Sequence, residues 1–108
     1  MSLVFDAIRT PRGRAREDGA LRGVPPLDLL GGLFTAMRQR HSLETSHVDG
    51  AMIGCVTQVG DQGGNIGQTA MLHAGWTDAG SATTLNSFCT SGLTAAAIAV
   101  AKSVAGQG

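Results

Sequence analysis

The chain has 108 residues, of which 43% are hydrophobic, and its eight Lys and Arg residues are balanced by eight Asp and Glu residues. A chain of this length forms one domain at most. The absence of net charge gives no reason to expect a nucleic acid or an anionic membrane as a partner. The opening residues do not resemble a secretory signal, and no apolar run approaches the about 18 residues of a membrane span, so we expect a cytoplasmic protein.

The first half of the chain predicts two strands and a helix. Residues 3–8, LVFDAI, form a β-prone run that the turn-forming TPRG ends. A helix capped by Asp28 continues through LLGGLFTAMRQR, where the apolar residues have amphipathic spacing. Residues 48–59, VDGAMIGCVTQV, predict a second strand.

The second half repeats the alternation of helix and strand. A Gly-rich loop leads into a helix over residues 66–74, which Gly75 ends. Residues 82–87, ATTLNS, predict a third strand, and a last helix runs from about Thr90 to Ala105. The order β-α-β-α-β-α indicates an α/β fold with a mostly parallel sheet and right-handed crossovers.

The last helix is apolar on every face. Between Leu93 and Ala101 only Thr94 is polar. Such a helix is buried on both sides in a folded protein, whereas three strands can cover only one side. We therefore expect the chain to be incomplete or to need a partner.

The two cysteines differ in their surroundings. Cys89 lies between a strand and the last helix, where unpaired helix N–H groups and the helix dipole favour a thiolate and can stabilise an oxyanion. It is either a nucleophile or a small residue packed at the end of a strand. Cys55 lies in a predicted strand beside Val56, where a packing role is expected. Two isolated cysteines predict neither a metal site nor a disulfide framework, which suits a reducing compartment.

Other candidate residues carry weaker signals. A cysteine nucleophile needs a positioned base, and none of the three histidines is an evident one: His41, His47 and His73. The segment GDQGGNIG matches neither GxGxxG nor a P-loop, so it is either a tight loop before a helix or a loop that lines a site. The arginines at positions 9, 12, 14 and 16 predict a solvated loop or a contact with a phosphate or another acidic ligand.

Taken together, four segments resemble the N-terminal part of a thiolase, the acyl-CoA C-acyltransferase family. These are DAIRTPRG (6–13), VDGAMIGCV (48–56), GQTAMLHAG (67–75) and NSFCTSGLTA (86–95). The last segment is similar to the family's nucleophile signature. The resemblance covers essentially the whole chain and indicates that residues 1–108 are an incomplete N-terminal thiolase domain.

The resemblance implies a function and a fold. Cys89 would accept an acyl group from acyl-CoA as a thioester, and its backbone N–H would donate to the thioester oxygen. The substrates would be coenzyme A thioesters, with no tightly bound cofactor and no metal. The family's layered fold would bury the helix after Cys89, and a sheet-edge strand at 82–87 would pair with its own copy in a homodimer or tetramer.

Two departures from the family pattern matter. The family usually has Arg where this chain has Ser87. The family's base, its second catalytic cysteine, its Asn-containing oxyanion motif and most of its CoA-binding segment lie beyond residue 108, so no CoA-binding residue is assigned. Two alternatives therefore stay open: a non-catalytic, thiolase-like subunit that acts with a partner chain, and a condensing enzyme of the ketoacyl synthase type.

Overall fold

The computed structural model describes residues 2–13 and 18–106. In these ranges the elements follow the order α1, β1, α2, β2, α3. Their bounds are Pro26–His41 for α1, Ala51–Gly54 for β1, Ile66–His73 for α2, Ala82–Leu85 for β2 and Ser91–Val104 for α3. Short 3₁₀ turns lie at Thr45–His47, Gly60–Gln62 and Phe88–Thr90. Of the arginines noted above, Arg14 and Arg16 lie outside the described residues.

The first helix begins three residues before Leu29, the predicted first residue. Pro26 is its first residue, where the missing N–H of proline removes no hydrogen bond of the helix. Asp28 does not cap the helix but lies in its first turn, where a carboxylate interacts favourably with the helix dipole. The helix ends at His41, and the next residue, Ser42, has a left-handed conformation (φ 48°) and donates its N–H to the Arg38 carbonyl oxygen.

The two strands form a parallel pair connected through α2. Ala51 lies opposite Ala82, and Gly54 lies opposite Leu85. Both strands are shorter than predicted, because each stops where its neighbour turns away. The chain after Gly54 enters the glycine-rich loop, and the chain after Leu85 enters the turn before α3. Val and Ile content shows where a chain can extend, whereas pairing depends on a partner strand.

The predicted strand over residues 3–8 is wrong. Within the described ranges, the sheet contains only β1 and β2, and the residues before α1 belong to no strand. A strand needs a neighbour for its backbone N–H and carbonyl groups, and this segment has none alongside it. Its side chains Leu3, Val4 and Phe5 are consequently exposed.

Asp6 attaches this segment to the end of α1. Its carboxylate accepts a hydrogen bond from Arg40 Nε at 3.0 Å and lies 2.6 Å from His41 Nε2. The hydrogen bond with His41, then the Ala7 N–H and the Arg40 charge, lower the pKa of Asp6 below 3.8. An acid with a lowered folded pKa stabilises the fold above its ordinary pKa. The contact therefore holds at neutral pH and is lost as the pH falls through the lowered value.

The buried core lies between α1, α2 and the sheet. Met71, Trp76 and Ala82 form its centre. Phe34 of α1 packs edge-on against Trp76, with ring centroids 5.1 Å apart and an interplanar angle of 62°. An edge-to-face pair of this kind is a favoured aromatic geometry, so it fixes α1 over the chain that follows α2.

The helix after Cys89 is covered on one side only. It packs on β1, and Ser91 and Ala95 are its buried residues. The predicted burial on every side is absent in this chain, because no described element lies against the remaining faces. Large apolar side chains are exposed there: Leu93, Ile98, Val100 and Val104. No helix within the described ranges is long and apolar enough to cross a membrane.

Candidate active site

Cys89 lies where the sequence predicts it, between a strand and a helix. It occupies the middle of the 3₁₀ turn Phe88–Thr90, four residues after the end of β2 and two residues before α3. Its side chain is exposed. The thiol is therefore accessible to a reagent or a substrate, which a residue packed at the end of a strand would not be.

The residue before Cys89 has an unusual backbone conformation. Phe88 has a φ of 54°, in the left-handed region that bulky residues rarely adopt and that costs on the order of 1–2 kcal/mol. Asn86 supports this conformation, since its Oδ1 accepts from the Phe88 N–H at 2.8 Å. The Asn86 Nδ2 in turn donates to the Val56 carbonyl oxygen at 3.0 Å, which ties the turn to the chain after β1.

Ser91 supports the same turn from the helix side. Its side chain is buried, with 4% of the residue exposed. Its hydroxyl donates to the Phe88 carbonyl oxygen at 2.6 Å and accepts from the Ser87 N–H at 3.0 Å. Ser91 thus bonds to the backbone on both sides of the strained residue.

The backbone N–H groups next to Cys89 are paired: Phe88 donates to Asn86 Oδ1, Thr90 to the Ser87 carbonyl oxygen and Ser91 to the Phe88 carbonyl oxygen. The N-cap of α3 is Thr90, whose side chain makes no capping hydrogen bond. In the described part of the chain, the Cys89 N–H makes no hydrogen bond. A free N–H and the dipole of a helix N-terminus both favour nearby negative charge, so the Cys89 N–H and the start of α3 suit a thiolate and an oxyanion formed beside it.

Gly54 lets the start of α3 approach the sheet. A Cβ at position 54 would lie 2.5 Å from the Ser91 carbonyl carbon and 2.7 Å from the Gly92 nitrogen. Both atoms belong to the backbone and cannot move aside as a flexible side chain would. The last residue of β1 must therefore be glycine for the turn with Cys89 to sit where it does.

We accordingly expect Gly54→Ala to displace α3 and to lower the free energy of unfolding by about 1–3 kcal/mol, as in other overpacked sites. Gly32→Ala is the matched control, because a Cβ at that helical position meets nothing within 4 Å. The control should be neutral or stabilising by up to about 1 kcal/mol. Thermal melting of the complete protein measures both. Equal melting temperatures for Gly54→Ala and the wild type would contradict the close approach.

The other sequence candidates lie away from this turn. Cys55 follows β1, is half-buried and donates its N–H to the Leu85 carbonyl oxygen at 2.9 Å. The histidines have other partners or positions: His41 contacts Asp6, His73 lies 3.6 Å from Asp28, and His47 ends the turn before β1. In the described part of the chain none of them bonds to Cys89, so the structure brings no base to the thiol.

Three residues that shape this turn are not predicted from the sequence: Gly54, Asn86 and Ser91. Asn86 and Ser91 belong to the quoted segment NSFCTSGLTA, so the polar residues flanking the cysteine were a usable signal. The need for Gly54 had no local signal, because it arises from contact with residues 37 positions or more away. Among the described residues, no group of His, Cys, Asp and Glu side chains could hold a metal ion.

Comparison with known proteins identifies the family. The model of the thiolase N-terminal domain matches residues 2–108. The 3-ketoacyl-CoA thiolase of Saccharophagus degradans is 36% identical over 98% of this chain and 27% of its own length. The β-ketoadipyl-CoA thiolase of Escherichia coli is 36% identical over 99% of this chain and 26% of its own length.

A solved structure shows the same fold. The acetyl-CoA acetyltransferase of Bacillus anthracis superposes on 78% of this chain and 21% of its own chain, with a TM-score of 0.69 and 31% identity. The α/β arrangement with a small parallel sheet is thus a part of a thiolase fold. The chain belongs to the thiolase family. It spans about a quarter of the length of the curated relatives that it matches.

Proposed function

We propose that Cys89 is the nucleophile of an acyltransferase that moves acyl groups between coenzyme A thioesters. The observation that carries this proposal is an exposed thiol on a strained turn before α3, whose own backbone N–H makes no hydrogen bond in the described chain. The names of the relatives, 3-ketoacyl-CoA thiolase and β-ketoadipyl-CoA thiolase, support CoA thioesters as the substrate class. Coenzyme A would act as substrate and product, with no tightly bound cofactor.

The proposed reaction has two stages. The Cys89 thiolate attacks the carbonyl carbon of an acyl-CoA, and the negative charge passes to the carbonyl oxygen, which the Cys89 N–H stabilises. The C–S bond to coenzyme A then breaks, and the departing thiolate takes a proton from an acid. A second acyl-CoA, deprotonated at its α-carbon, attacks the Cys89 thioester and gives a 3-ketoacyl-CoA and free Cys89 thiolate. Thiolytic cleavage of a 3-ketoacyl-CoA is the reverse sequence.

We also propose that these residues act as part of a longer thiolase. The two-stage reaction needs a base near Cys89, and the histidines of this chain lie elsewhere. The relatives are about four times as long as the matched region, which leaves room for a base, a second cysteine and a CoA-binding segment. The exposed apolar face of α3 offers a surface for such additional elements.

The test is a thiolysis assay on the complete protein, with acetoacetyl-CoA and coenzyme A as substrates. We expect loss of the 3-ketoacyl-CoA absorbance and formation of acetyl-CoA. A folded protein that contains a reactive Cys89 and shows no turnover in either direction would instead support a non-catalytic, thiolase-like subunit. Turnover only with an acyl group carried on a protein thiol would support the ketoacyl synthase alternative.

For the assembly, we propose a homodimer formed through the free edge of β2. Leu85 faces β1, since its carbonyl oxygen accepts from Cys55 N–H, so the backbone groups of Ala82 and Thr84 point away. Two side chains from the α2 region cover Ala82: Gln68 Oε1 accepts from its N–H, and Asn65 Nδ2 donates to its carbonyl oxygen. The edge available to a second copy therefore begins at Thr84, and a free edge favours pairing.

Light scattering of the complete protein at micromolar concentration tests this assembly. We expect the mass of a dimer or of a tetramer built from two dimers. A monomer at that concentration would contradict pairing through β2. For the compartment, we propose the cytoplasm, because the proposed reaction requires a reduced Cys89 and the cytoplasm keeps thiols reduced.

A further inference from the structure

Two hydroxyl groups meet beneath the turn that carries Cys89. Ser87 Oγ donates to Thr94 Oγ1 at 2.8 Å, and both residues are half-buried. Ser87 lies two residues before Cys89, and Thr94 lies in the first turn of α3. The hydrogen bond therefore connects the start of the turn with the body of the helix and spans the cysteine.

The N–H, the carbonyl oxygen and the hydroxyl of Ser87 each make a hydrogen bond. Its N–H donates to Ser91 Oγ, and its carbonyl oxygen accepts from Thr90 Oγ1 at 2.9 Å. Its hydroxyl bonds to Thr94 and also lies 3.2 Å from Thr90 Oγ1. These bonds fix the orientation of the peptide that leads into Phe88, where the backbone takes its left-handed conformation.

The left-handed conformation explains why such bonds matter. Phe88 could relax to an ordinary backbone conformation if the peptide on either side of it rotated. Such a rotation would change the position of the Cys89 side chain. Ser91 restrains the carbonyl side of Phe88. The bond between Ser87 and Thr94 restrains the side toward β2, by fixing Ser87 to a helix that is itself packed on β1.

We propose that Ser87 and Thr94 are positioning residues, whose hydrogen bond holds the turn so that the Cys89 thiol meets an acyl-CoA carbonyl at the reactive angle. This assignment rests on the proposed function of Cys89. Both residues act through the backbone of the turn. Neither one is assigned a contact with the substrate.

The experiment uses the complete protein and four single variants. Thr94→Val and Ser87→Ala each remove the hydrogen bond, whereas Thr94→Ser keeps the hydroxyl. Thr69→Val is the matched control, because Thr69 is an exposed threonine of α2 whose hydroxyl bonds only locally, to the Asn65 carbonyl oxygen. Four quantities are measured: single-turnover acylation of Cys89 by acetyl-CoA, KM, the alkylation rate of Cys89 by iodoacetamide, and the melting temperature.

We expect Thr94→Val and Ser87→Ala to slow acylation at saturating acetyl-CoA by about tenfold, since small losses of alignment cost large factors in rate. Alkylation should slow as well, while KM stays unchanged. A fifth protein, which combines Ser87→Ala with Thr94→Val, should be no slower than either single variant, because both substitutions remove the same bond. Thr94→Ser should recover the wild-type rates, and Thr69→Val should match the wild type throughout.

Four results would overturn the positioning role. These are wild-type acylation in both Thr94→Val and Ser87→Ala, a change confined to KM, a Thr94→Ser variant as slow as Thr94→Val, and loss of cooperative melting in both variants. Failure of the proposed function has a different outcome. In that case wild-type Cys89 is alkylated by iodoacetamide but is never acylated by acetyl-CoA.

Discussion

Replacing Cys89 with alanine in the complete protein should abolish acyl transfer, with a loss of several powers of ten in kcat. The covalent intermediate cannot form without the Cys89 thiol. Any catalysis that remains in the variant then comes from substrate binding alone. The thiol is exposed, so alanine leaves no buried cavity, and the melting temperature should stay within a few degrees of the wild type. Thiolysis of acetoacetyl-CoA measures the loss.

Cys55→Ala is the control for this substitution. Cys55 is half-buried beyond the end of β1, and its thiol lies 3.6 Å from the Thr57 carbonyl oxygen. We expect this variant to lose some stability and to keep the chemistry, because Cys55 has no part in the turn before α3. A Cys89→Ala protein that still transfers acyl groups at a rate near the wild type would remove Cys89 from the mechanism.

The second large predicted effect is the loss of solubility and of ordered packing when residues 1–108 are expressed alone. We expect this chain to be aggregated or molten and to have no thiolase activity. The exposed fraction reaches 74% for Leu93 and 62% for Val104, and the N-terminal Phe5 is 86% exposed. A chain of this size cannot keep so many large apolar side chains in water without association.

The energy involved is comparable with the stability of a domain. Burial of apolar surface stabilises a fold by about 25 cal/mol per Å². The helix face and the N-terminal segment that stay uncovered therefore lose stabilisation on the order of several kcal/mol. Whole domains are stable by only about 5–15 kcal/mol. Size-exclusion chromatography and thermal melting followed by circular dichroism measure the outcome.

Two further experiments test whether the uncovered face of α3 causes this instability. Co-expression with the remainder of a thiolase chain should restore solubility, because it supplies cover for α3. A double variant with Val100→Lys and Val104→Lys, on exposed positions one turn apart, should make the isolated chain more soluble without restoring activity. A monodisperse wild-type monomer with cooperative melting would show that the exposed face of α3 needs no cover.

Helices were the most predictable part of this fold. The sequence predicts the second helix over 66–74, and the structure has it at Ile66–His73. It predicts the last helix from about Thr90 to Ala105, and the structure has it at Ser91–Val104. Local signals set these bounds. Asn65 caps the second helix by accepting from the Gln68 N–H, and Gly75 follows it with a φ of 83°.

Strands were less predictable because they depend on distant partners. Residues 48–59 have strand composition, but only Ala51–Gly54 pair, since β2 is four residues long. Residues 3–8 have the same composition and no strand beside them in the described chain. Amino-acid composition is a property of one segment, whereas a β-strand also needs a second segment to which its backbone can hydrogen-bond.

The site was predictable in position and not in detail. The boundary between a strand and an apolar helix placed Cys89 correctly. The left-handed Phe88, the contact of Gly54 with Ser91 and the bond between Ser87 and Thr94 come from the three-dimensional packing of β1, β2 and α3. No spacing of residues along the chain encodes those contacts.

The most direct test of the role of Cys89 is covalent labelling. The complete protein is incubated with acetyl-CoA labelled in the acetyl group, quenched in acid and digested, and the label is located by peptide mass spectrometry. We predict one label per chain, on the peptide that contains Cys89 and not on the peptide that contains Cys55. Label on Cys55, or equal labelling in the Cys89→Ala protein, would contradict the assignment of Cys89 as the acyl acceptor.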